Sequence, residues 1–226
     1  MHRLNFLSSG SGKLTETILH AIEKGVLKNI IPVSIISDRK SESLQLASLF
    51  GVSSHIVDFN ESSSREEFSD RVLQIFQDEQ IDFSLMTFDR ILSGNILKKY
   101  NNKIINIHPS LLPAFPGYDT IKKAKEYGCK FIGATCHFID AEVDNGPIIN
   151  QAILPLDNYE ESAKTEEKLY RLRQKLVLEA IYALSNGLIE VNNREVVIKE
   201  GKYDAYPLNP SLNIPIINNF LDNYDK

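Results

Sequence analysis

Three residues of this sequence have side chains that could together perform acyl transfer. Asn106 and His108 close an apolar run that ends at a proline, and Asp144 lies in the sequence Asp-Asn-Gly-Pro. An amide can stabilise a developing oxyanion, an imidazole can transfer a proton, and a carboxylate can fix the charge state of that imidazole. These residue types therefore predict nucleophilic attack on a carbonyl carbon.

Strand geometry determines whether Asn106 and His108 can act together. Side chains alternate across a strand, so residues two apart point to the same face. At the carboxyl end of a parallel strand, that face opens onto the crevice where open α/β sheets bind ligands. The structural alternative is that Asn106 caps the following proline loop, His108 is a satisfied buried histidine, and Asp144 belongs to a solvated acidic turn.

A glycine-serine turn near the start of the chain is a candidate anion site. It comprises Gly10, Ser11, Gly12 and Lys13, between an apolar run and a helical stretch, where backbone N–H groups and a helix N-terminus can face a phosphate. Leu7 and Leu14 stand where a Walker A loop needs glycine and Ser/Thr, and the third glycine of a dinucleotide fingerprint is absent. Phosphate binding is the prediction, and a plain strand–helix turn is the alternative.

Apolar runs alternate with helical periodicity along the first half of the chain. The predicted neighbouring strands of one sheet are 4–7, 30–36, 83–86 and 103–107. The predicted apolar stripe of the first helix is Leu14, Ile18, Ile22 and Val26. Another helix carries Phe68 and Phe76 and begins with Ser64 and Glu67 at the spacing of a capping box, and a further one is predicted over 93–100.

The second half of the chain begins with a proline-rich loop over 109–118. Two strand-like runs, 131–139 and 147–154, are joined by the acidic turn 140–146, and a long helix ends near Asn186. One more strand is predicted over 189–198, and the proline- and asparagine-rich tail predicts an extended end.

Strands that alternate with helices favour right-handed βαβ units. The predicted fold class is α/β: a single open, mainly parallel twisted sheet with helices on both faces, as in Rossmann-like folds. We predict one domain over 1–226, with a core of about 3–200 and a tail of about 201–226.

Composition excludes several classes of function. The net charge of −5 argues against partners such as nucleic acid or a membrane surface. Cys129 and Cys136 match no zinc or redox spacing, so no metal is predicted. No apolar run approaches the roughly 20 residues that span a bilayer. A cytoplasmic protein is therefore predicted.

Three stretches resemble the folate-dependent formyltransferase family. They are the runs 105–117, 133–140 and 144–148, within a likeness that covers about 3–190 and is most specific over 105–148. The likeness is greatest to the members that formylate phosphoribosylglycinamide in purine biosynthesis. The resemblance implies a formyl transfer from 10-formyltetrahydrofolate to that amine, without a metal, by an enzyme that could form a homodimer.

The resemblance also implies roles for individual residues. The implied catalytic residues are Asn106, His108 and Asp144. The implied substrate-binding residues are Gly10, Ser11, Gly12, Lys13, Pro109, Arg171 and Arg173. The implied folate-binding residues are Arg65, Asp89, Arg90, Ile91, Leu92, Asp140 and Glu142.

The sequence departs from the family pattern on the acceptor side. The family loop Gly-x-Gly-Ser-Asn is here Gly10 to Lys13, Asp89 replaces a common apolar residue, and Arg171, Arg173 and Gln174 stand where the family has Gln, Glu and His. Two alternatives therefore stay open. One is formylation of another amine, such as a nucleotide-linked amino sugar, and the other is a non-catalytic folate- or nucleotide-binding module.

Overall fold

The computed structural model describes residues 1–157, 161–204 and 206–224, and its strands form an open, mostly parallel eight-stranded sheet and a separate hairpin. The strands are β1 (His2–Ser8), β2 (Ile30–Ser37), β3 (Ser53–Ile56), β4 (Phe83–Thr87), β5 (Ile104–His108), β6 (Phe131–Phe138), β7 (Ile148–Pro155), β8 (Ile189–Asn192), β9 (Glu195–Ile198) and β10 (Leu208–Asn209). The α-helices are α1 (Lys13–Glu23), α2 (Ser43–Phe50), α3 (Arg65–Asp78), α4 (Asn95–Lys99), α5 (Thr120–Glu126), α6 (Ser162–Ser185) and α7 (Pro215–Tyr224). The predicted α/β class is confirmed. Residues 205, 225 and 226 of the predicted tail lie outside the described residues.

The chain forms two compact units, residues 1–106 with 139–141 and residues 107–138 with 142–226. In the first unit, parallel strands lie in the order β5-β4-β1-β2-β3. The four strands predicted for the first half are therefore confirmed as members of one sheet. The single domain predicted over 1–226 stays a prediction.

The apolar core of the first unit follows from the periodicity of α3. Phe68, Val72 and Phe76 recur every four residues, so they line one face of the helix, and all three are fully buried with Leu7 and Ile36 of the sheet. Burial of such side chains contributes about 1.5–3 kcal/mol each. The predicted helix start is also confirmed, because the Ser64 hydroxyl accepts a hydrogen bond from the N–H of Glu67 at 3.1 Å.

The second unit is built on antiparallel pairing. Strands β6 and β7 form an antiparallel pair, and β10 adds to the other edge of β7. The long helix α6 buries Leu169, Leu176 and Ile181. None of the described helices combines the length and apolar character that a bilayer crossing requires.

Two predicted boundaries were wrong. Helix α1 ends at Glu23 rather than reaching Val26, because Gly25 adopts φ +69° and breaks the helix. The segment 189–198 is a hairpin of β8 and β9, which turns at Asn193 with φ +57°, and not one strand.

The tail is not extended throughout. It contains β10 and the helix α7, which starts at Pro215 and buries Ile217. Proline is well accommodated at the first position of a helix, where its missing N–H has no partner to lose.

Candidate active site

The end of β5 brings His108 to Asp144. The His108 side chain is 7% exposed, and its Nδ1 lies 3.3 Å from Oδ2 of Asp144. Its other ring nitrogen, Nε2, lies 3.0 Å from the carbonyl oxygen of Phe115 in the proline-rich loop. The predicted proximity of His108 and Asp144 is therefore confirmed, although they are separated by a loop, a helix and a strand.

Both ring nitrogens of His108 face acceptor oxygens. A carbonyl oxygen can only accept, so Nε2 donates to Phe115, while Nδ1 pairs with the Asp144 carboxylate. The Gly117 N–H also donates to Oδ2 of Asp144 at 3.0 Å. This arrangement places an imidazole beside a buried carboxylate.

A second imidazole, which the sequence analysis did not assign, faces the same carboxylate. His137 on β6 is 1% exposed, and its Nε2 lies 4.0 Å from Oδ1 of Asp144. Its Nδ1 lies 2.8 Å from the Phe138 carbonyl oxygen. Asp144 thus stands between two histidines. The available signal was an imidazole inside an otherwise nearly apolar strand of the family-like run 133–140.

Hydrogen bonds hold the proline-rich loop in place. The Thr135 hydroxyl donates to the Ser110 carbonyl at 2.7 Å and accepts from the Leu112 N–H at 3.0 Å. The Gln151 amide donates to the Leu112 carbonyl at 3.0 Å. Pro109, predicted to bind substrate, is half-buried at the start of this loop. Because the loop also supplies the Phe115 carbonyl, these contacts set the position of the His108 ring.

The acidic turn that carries Asp144 has a strained backbone and accepts a hydrogen bond from the β8–β9 hairpin. Asp144 adopts φ +54°, a left-handed conformation that is uncommon for non-glycine residues. The next residue, Asn145, donates to Glu142 at 2.8 Å. Arg194, at the tip of the β8–β9 hairpin, donates to the Asn145 carbonyl at 2.5 Å. Contacts of this kind keep a strained residue in place.

The glycine-serine turn has a left-handed backbone at two positions, and at one of them a side chain would also clash. Gly10 and Gly12 have φ +72° and +70°, and a Cβ atom on Gly12 would come within 2.7 Å of the Ser43 Cβ. The Gly10 carbonyl accepts from the Ser43 N–H at 3.0 Å. Lys13 begins α1 and is exposed, as is Ser11. The turn therefore presents a helix N-terminus and a lysine to solvent.

The first unit contains a cavity of about 550 Å³. Its lining residues are Gly94, Leu97, Lys98, Asn101, Ile139, Asp140 and Ala141. Of the residues predicted to bind folate, Asp140 lines this cavity, while Leu92 is buried in the neighbouring apolar core and Ile91 is half-buried. Arg65 is exposed at the first position of α3.

Asp89 and Arg90 form ion pairs with residues that follow β2. Arg90 donates through Nε to Oδ2 of Asp38 at 2.8 Å. Asp89 accepts from Nη2 of Arg39 at 2.7 Å. Neither Asp38 nor Arg39 was predicted from the sequence, because the ends of β2 and β4 meet only when the sheet has formed.

The predicted acceptor residues of α6 differ in their surroundings. Arg171 is exposed, whereas Arg173 is 19% exposed, pairs with Glu166 and lies 5.5 Å from the Tyr170 ring centroid. Gln174 is buried. Among the described residues, no three His, Cys, Asp or Glu side chains are grouped to hold a metal ion.

Comparison with known protein families matches residues 2–181 to the formyl transferase model. The chain belongs to the formyl transferase family. This formyltransferase is 27% identical over 195 residues to phosphoribosylglycinamide formyltransferase of Bacillus subtilis, a match that covers 86% of this chain and 98% of that protein.

Two further relatives of this formyltransferase are informative. Trifunctional purine biosynthetic protein adenosine-3 of Gallus gallus is 34% identical over 188 residues, and the match spans 82% of this chain but only 18% of that protein. The crystal structure of glycinamide ribonucleotide transformylase 1 from Symbiobacterium toebii has a TM-score of 0.84 and 33% identity, covering 88% of this chain and 94% of that one.

Proposed function

We propose that this formyltransferase transfers the formyl group of 10-formyltetrahydrofolate to the amine of phosphoribosylglycinamide, a step of purine biosynthesis. The observation that carries the proposal is the His108–Asp144 pair, an imidazole held beside a buried carboxylate at the end of β5. Supporting it, the Bacillus subtilis relative, which matches over most of both chains, is a phosphoribosylglycinamide formyltransferase. The homodimer and the cytoplasmic location remain predictions.

The donor side of the proposal uses the cavity of the first unit. Leu97 and Ile139 supply apolar surface to its lining, while Asp140 and Asn101 supply polar groups. Pockets of roughly 300–1,000 Å³ with apolar walls and a few polar groups are typical of small-molecule sites. The pterin ring of the folate has this mixed character, with flat faces and polar edges.

The acceptor side uses the glycine-serine turn. A phosphate there would meet the N–H groups of residues 11–13, the positive end of α1 and the Lys13 ammonium. The hydroxyls of Ser8 and Thr15, which flank the turn, are buried and find no hydrogen-bond partner among the described residues. Buried unpaired hydroxyls are costly, so their presence beside the turn supports a polar ligand.

The chemical step is an addition followed by an elimination. The amine nitrogen attacks the formyl carbon, a C–N bond forms, and the carbonyl oxygen becomes an oxyanion. His108 turns its Nε2–H from the Phe115 carbonyl to that oxyanion, and Asn106 donates from the same face of β5. Asp144 supplies a negative charge opposite His108 and receives the amine proton through water. The bond between the carbon and N10 of the folate then breaks, and N10 takes up, through the same water, the proton that Asp144 received, so the carboxylate is regenerated.

A direct assay tests the proposal. Purified protein is incubated with 10-formyltetrahydrofolate and phosphoribosylglycinamide, and the formylated product and tetrahydrofolate are quantified by mass spectrometry. Equimolar formation of both is expected, with His108→Ala losing activity by about 10²-fold or more. An enzyme that formylates an amino-sugar nucleotide, but not phosphoribosylglycinamide, would contradict the acceptor, and an inactive protein would contradict the transfer itself.

A further inference from the structure

A single buried carboxylate joins two loops of the first unit. Asp38 follows β2, and its side chain is fully buried. Its Oδ1 accepts from the Ser9 hydroxyl at 2.7 Å, in the turn after β1. Its Oδ2 accepts from Arg90 at 2.8 Å, in the segment after β4, and from Arg39 at 2.9 Å. One side chain thus contacts both the glycine-serine turn and the segment 89–92.

The three donors explain why a carboxylate is stable at this position. A buried charge is tolerated only when it is paired and its oxygens are hydrogen-bonded. Two of the donors are guanidinium groups, which give stronger hydrogen bonds than neutral donors. Arg39 in turn pairs with Asp89, so four charges are linked in one chain of contacts.

Asp38 also determines where the Arg90 guanidinium points. The Arg90 Cζ atom lies 4.6 Å from the Phe59 ring centroid, so its plane is held by the ring as well as by the bond to Asp38. Within the described part of the chain, its two terminal NH₂ groups have no protein partner. They form a fixed fork of donors, a geometry that matches a carboxylate or a phosphate.

We propose that Asp38 is a positioning residue that holds the acceptor-phosphate turn and the folate-side segment in a fixed relation. The inference rests on the proposed function, which places the acceptor phosphate at Gly10–Lys13, and on the folate-binding role that the family resemblance implies for Arg90. Through Ser9, Asp38 fixes the turn, and through Arg90 it fixes the donor segment. Both substrates therefore depend on one side chain that touches neither.

Asp38→Asn tests the proposal with a nearly isosteric change. The amide oxygen can accept from the two arginines only if its NH₂ group faces the Ser9 hydroxyl, which must then accept instead of donating, and the negative charge opposite the two guanidinium groups is lost. We expect the KM values for phosphoribosylglycinamide and for 10-formyltetrahydrofolate both to rise by about tenfold or more, with a smaller change in kcat.

Two further variants separate positioning from stability. Ser9→Ala removes only the contact to the turn, so the acceptor KM should rise while the folate KM stays constant. Glu79→Gln is the matched control, because Glu79 is a largely buried carboxylate of the same unit that pairs with His55 and Ser34. It should lower the melting temperature and leave both KM values unchanged.

The outcomes are decisive whether or not the acceptor is correctly identified. If Asp38→Asn lowers the melting temperature but keeps both KM values within twofold of the wild type, Asp38 is structural and the inference is wrong. If the wild type does not formylate phosphoribosylglycinamide, the proposed function fails separately. Calorimetric titration with ribose 5-phosphate and with tetrahydrofolate then tests the same variants, and unchanged affinities in Asp38→Asn would overturn the inference.

Discussion

At the scale of single residues, the site depends on acceptors that surround an imidazole. His108 pairs with Asp144 and donates to the Phe115 carbonyl, while Asp144 also accepts from Gly117 and faces His137. Because these side chains are nearly dry, a charge here interacts more strongly than it would in water. The pair therefore places an imidazole N–H where it can meet a developing oxyanion.

Asp144→Asn should impair turnover more than binding. The amide oxygen of Asn can still accept at the position of Oδ2, but the neutral side chain removes the negative charge that faces His108. We expect kcat to fall by about 10²-fold or more, while tetrahydrofolate affinity, measured by calorimetry, changes by less than about threefold. An enzyme with near-normal kcat at neutral pH would show that the carboxylate only shapes the loop.

Lys13→Ala should affect the acceptor alone. The exposed ammonium at the start of α1 adds a point charge to the helix terminus, so its loss should raise the acceptor KM by about five- to tenfold. The folate KM should not change. The effect should weaken only in part at high salt, since screening leaves the backbone contacts intact. Lys24→Ala, at the other end of the same helix, is the control, and an equal effect there would argue for a general charge effect.

At the scale of elements, the active-site turn is supported by the β8–β9 hairpin. The hairpin lies outside the main sheet, yet Arg194 at its tip donates to Asn145, the neighbour of Asp144. The hairpin therefore has a role that its own short strands do not indicate. It restrains a turn in which Asp144 holds a left-handed backbone conformation.

Arg194→Ala should loosen this turn. Loss of one exposed charge-assisted hydrogen bond corresponds to about 1–1.4 kcal/mol, so kcat should fall by about five- to tenfold, with a shift in melting temperature of at most a few degrees. Lys199→Ala removes an exposed ion pair with Glu190 on the same hairpin and should leave kcat unchanged. Steady-state assays of both variants make the comparison. If Arg194→Ala were as active as the wild type, the hairpin would have no role in the activity.

At the scale of the whole molecule, stability depends on a carboxyl group buried under the C-terminal segment. Glu179 of α6 is fully buried and accepts from the Ser211 hydroxyl at 3.1 Å and the Leu212 N–H at 2.8 Å. Burial raises the pKa of Glu179 above its ordinary value of 4.5, and the backbone bond from Leu212 opposes the shift only in part.

Glu179→Gln should change the pH dependence of unfolding. Below pH 4.5 the Glu179 carboxyl is protonated in both the folded and the unfolded protein. Above pH 4.5 it ionises first in the unfolded chain, which then binds fewer protons than the folded protein. The wild type therefore loses stability as pH rises from 4.5 towards the raised pKa of the folded state. Glu179→Gln should lack this loss. The melting temperature of the variant relative to that of the wild type should therefore rise as pH rises. Glu167→Gln, exposed on the same helix, is the control, and parallel curves for wild type and Glu179→Gln would contradict the prediction.

The local sequence was sufficient for the features that depend on neighbouring residues. The periodicity of Phe68, Val72 and Phe76 predicted a helix, and the short apolar runs predicted four strands of the sheet, because hydrophobic burial acts on residues spaced by the period of each element. The run 105–148 likewise indicated formyl-transfer chemistry, because His108 and Asp144 both lie in its family-like stretches.

Only the tertiary structure determined which distant groups meet. Asp38 follows one strand and Arg90 another, and the sheet order brings them to 2.8 Å. His137 became part of the site because β6 places it beside Asp144, and the tail gained a strand because β7 offered a free edge for pairing. Such contacts depend on strand order and register, which are set by the packing of the whole sheet and not by the spacing of residues along the chain.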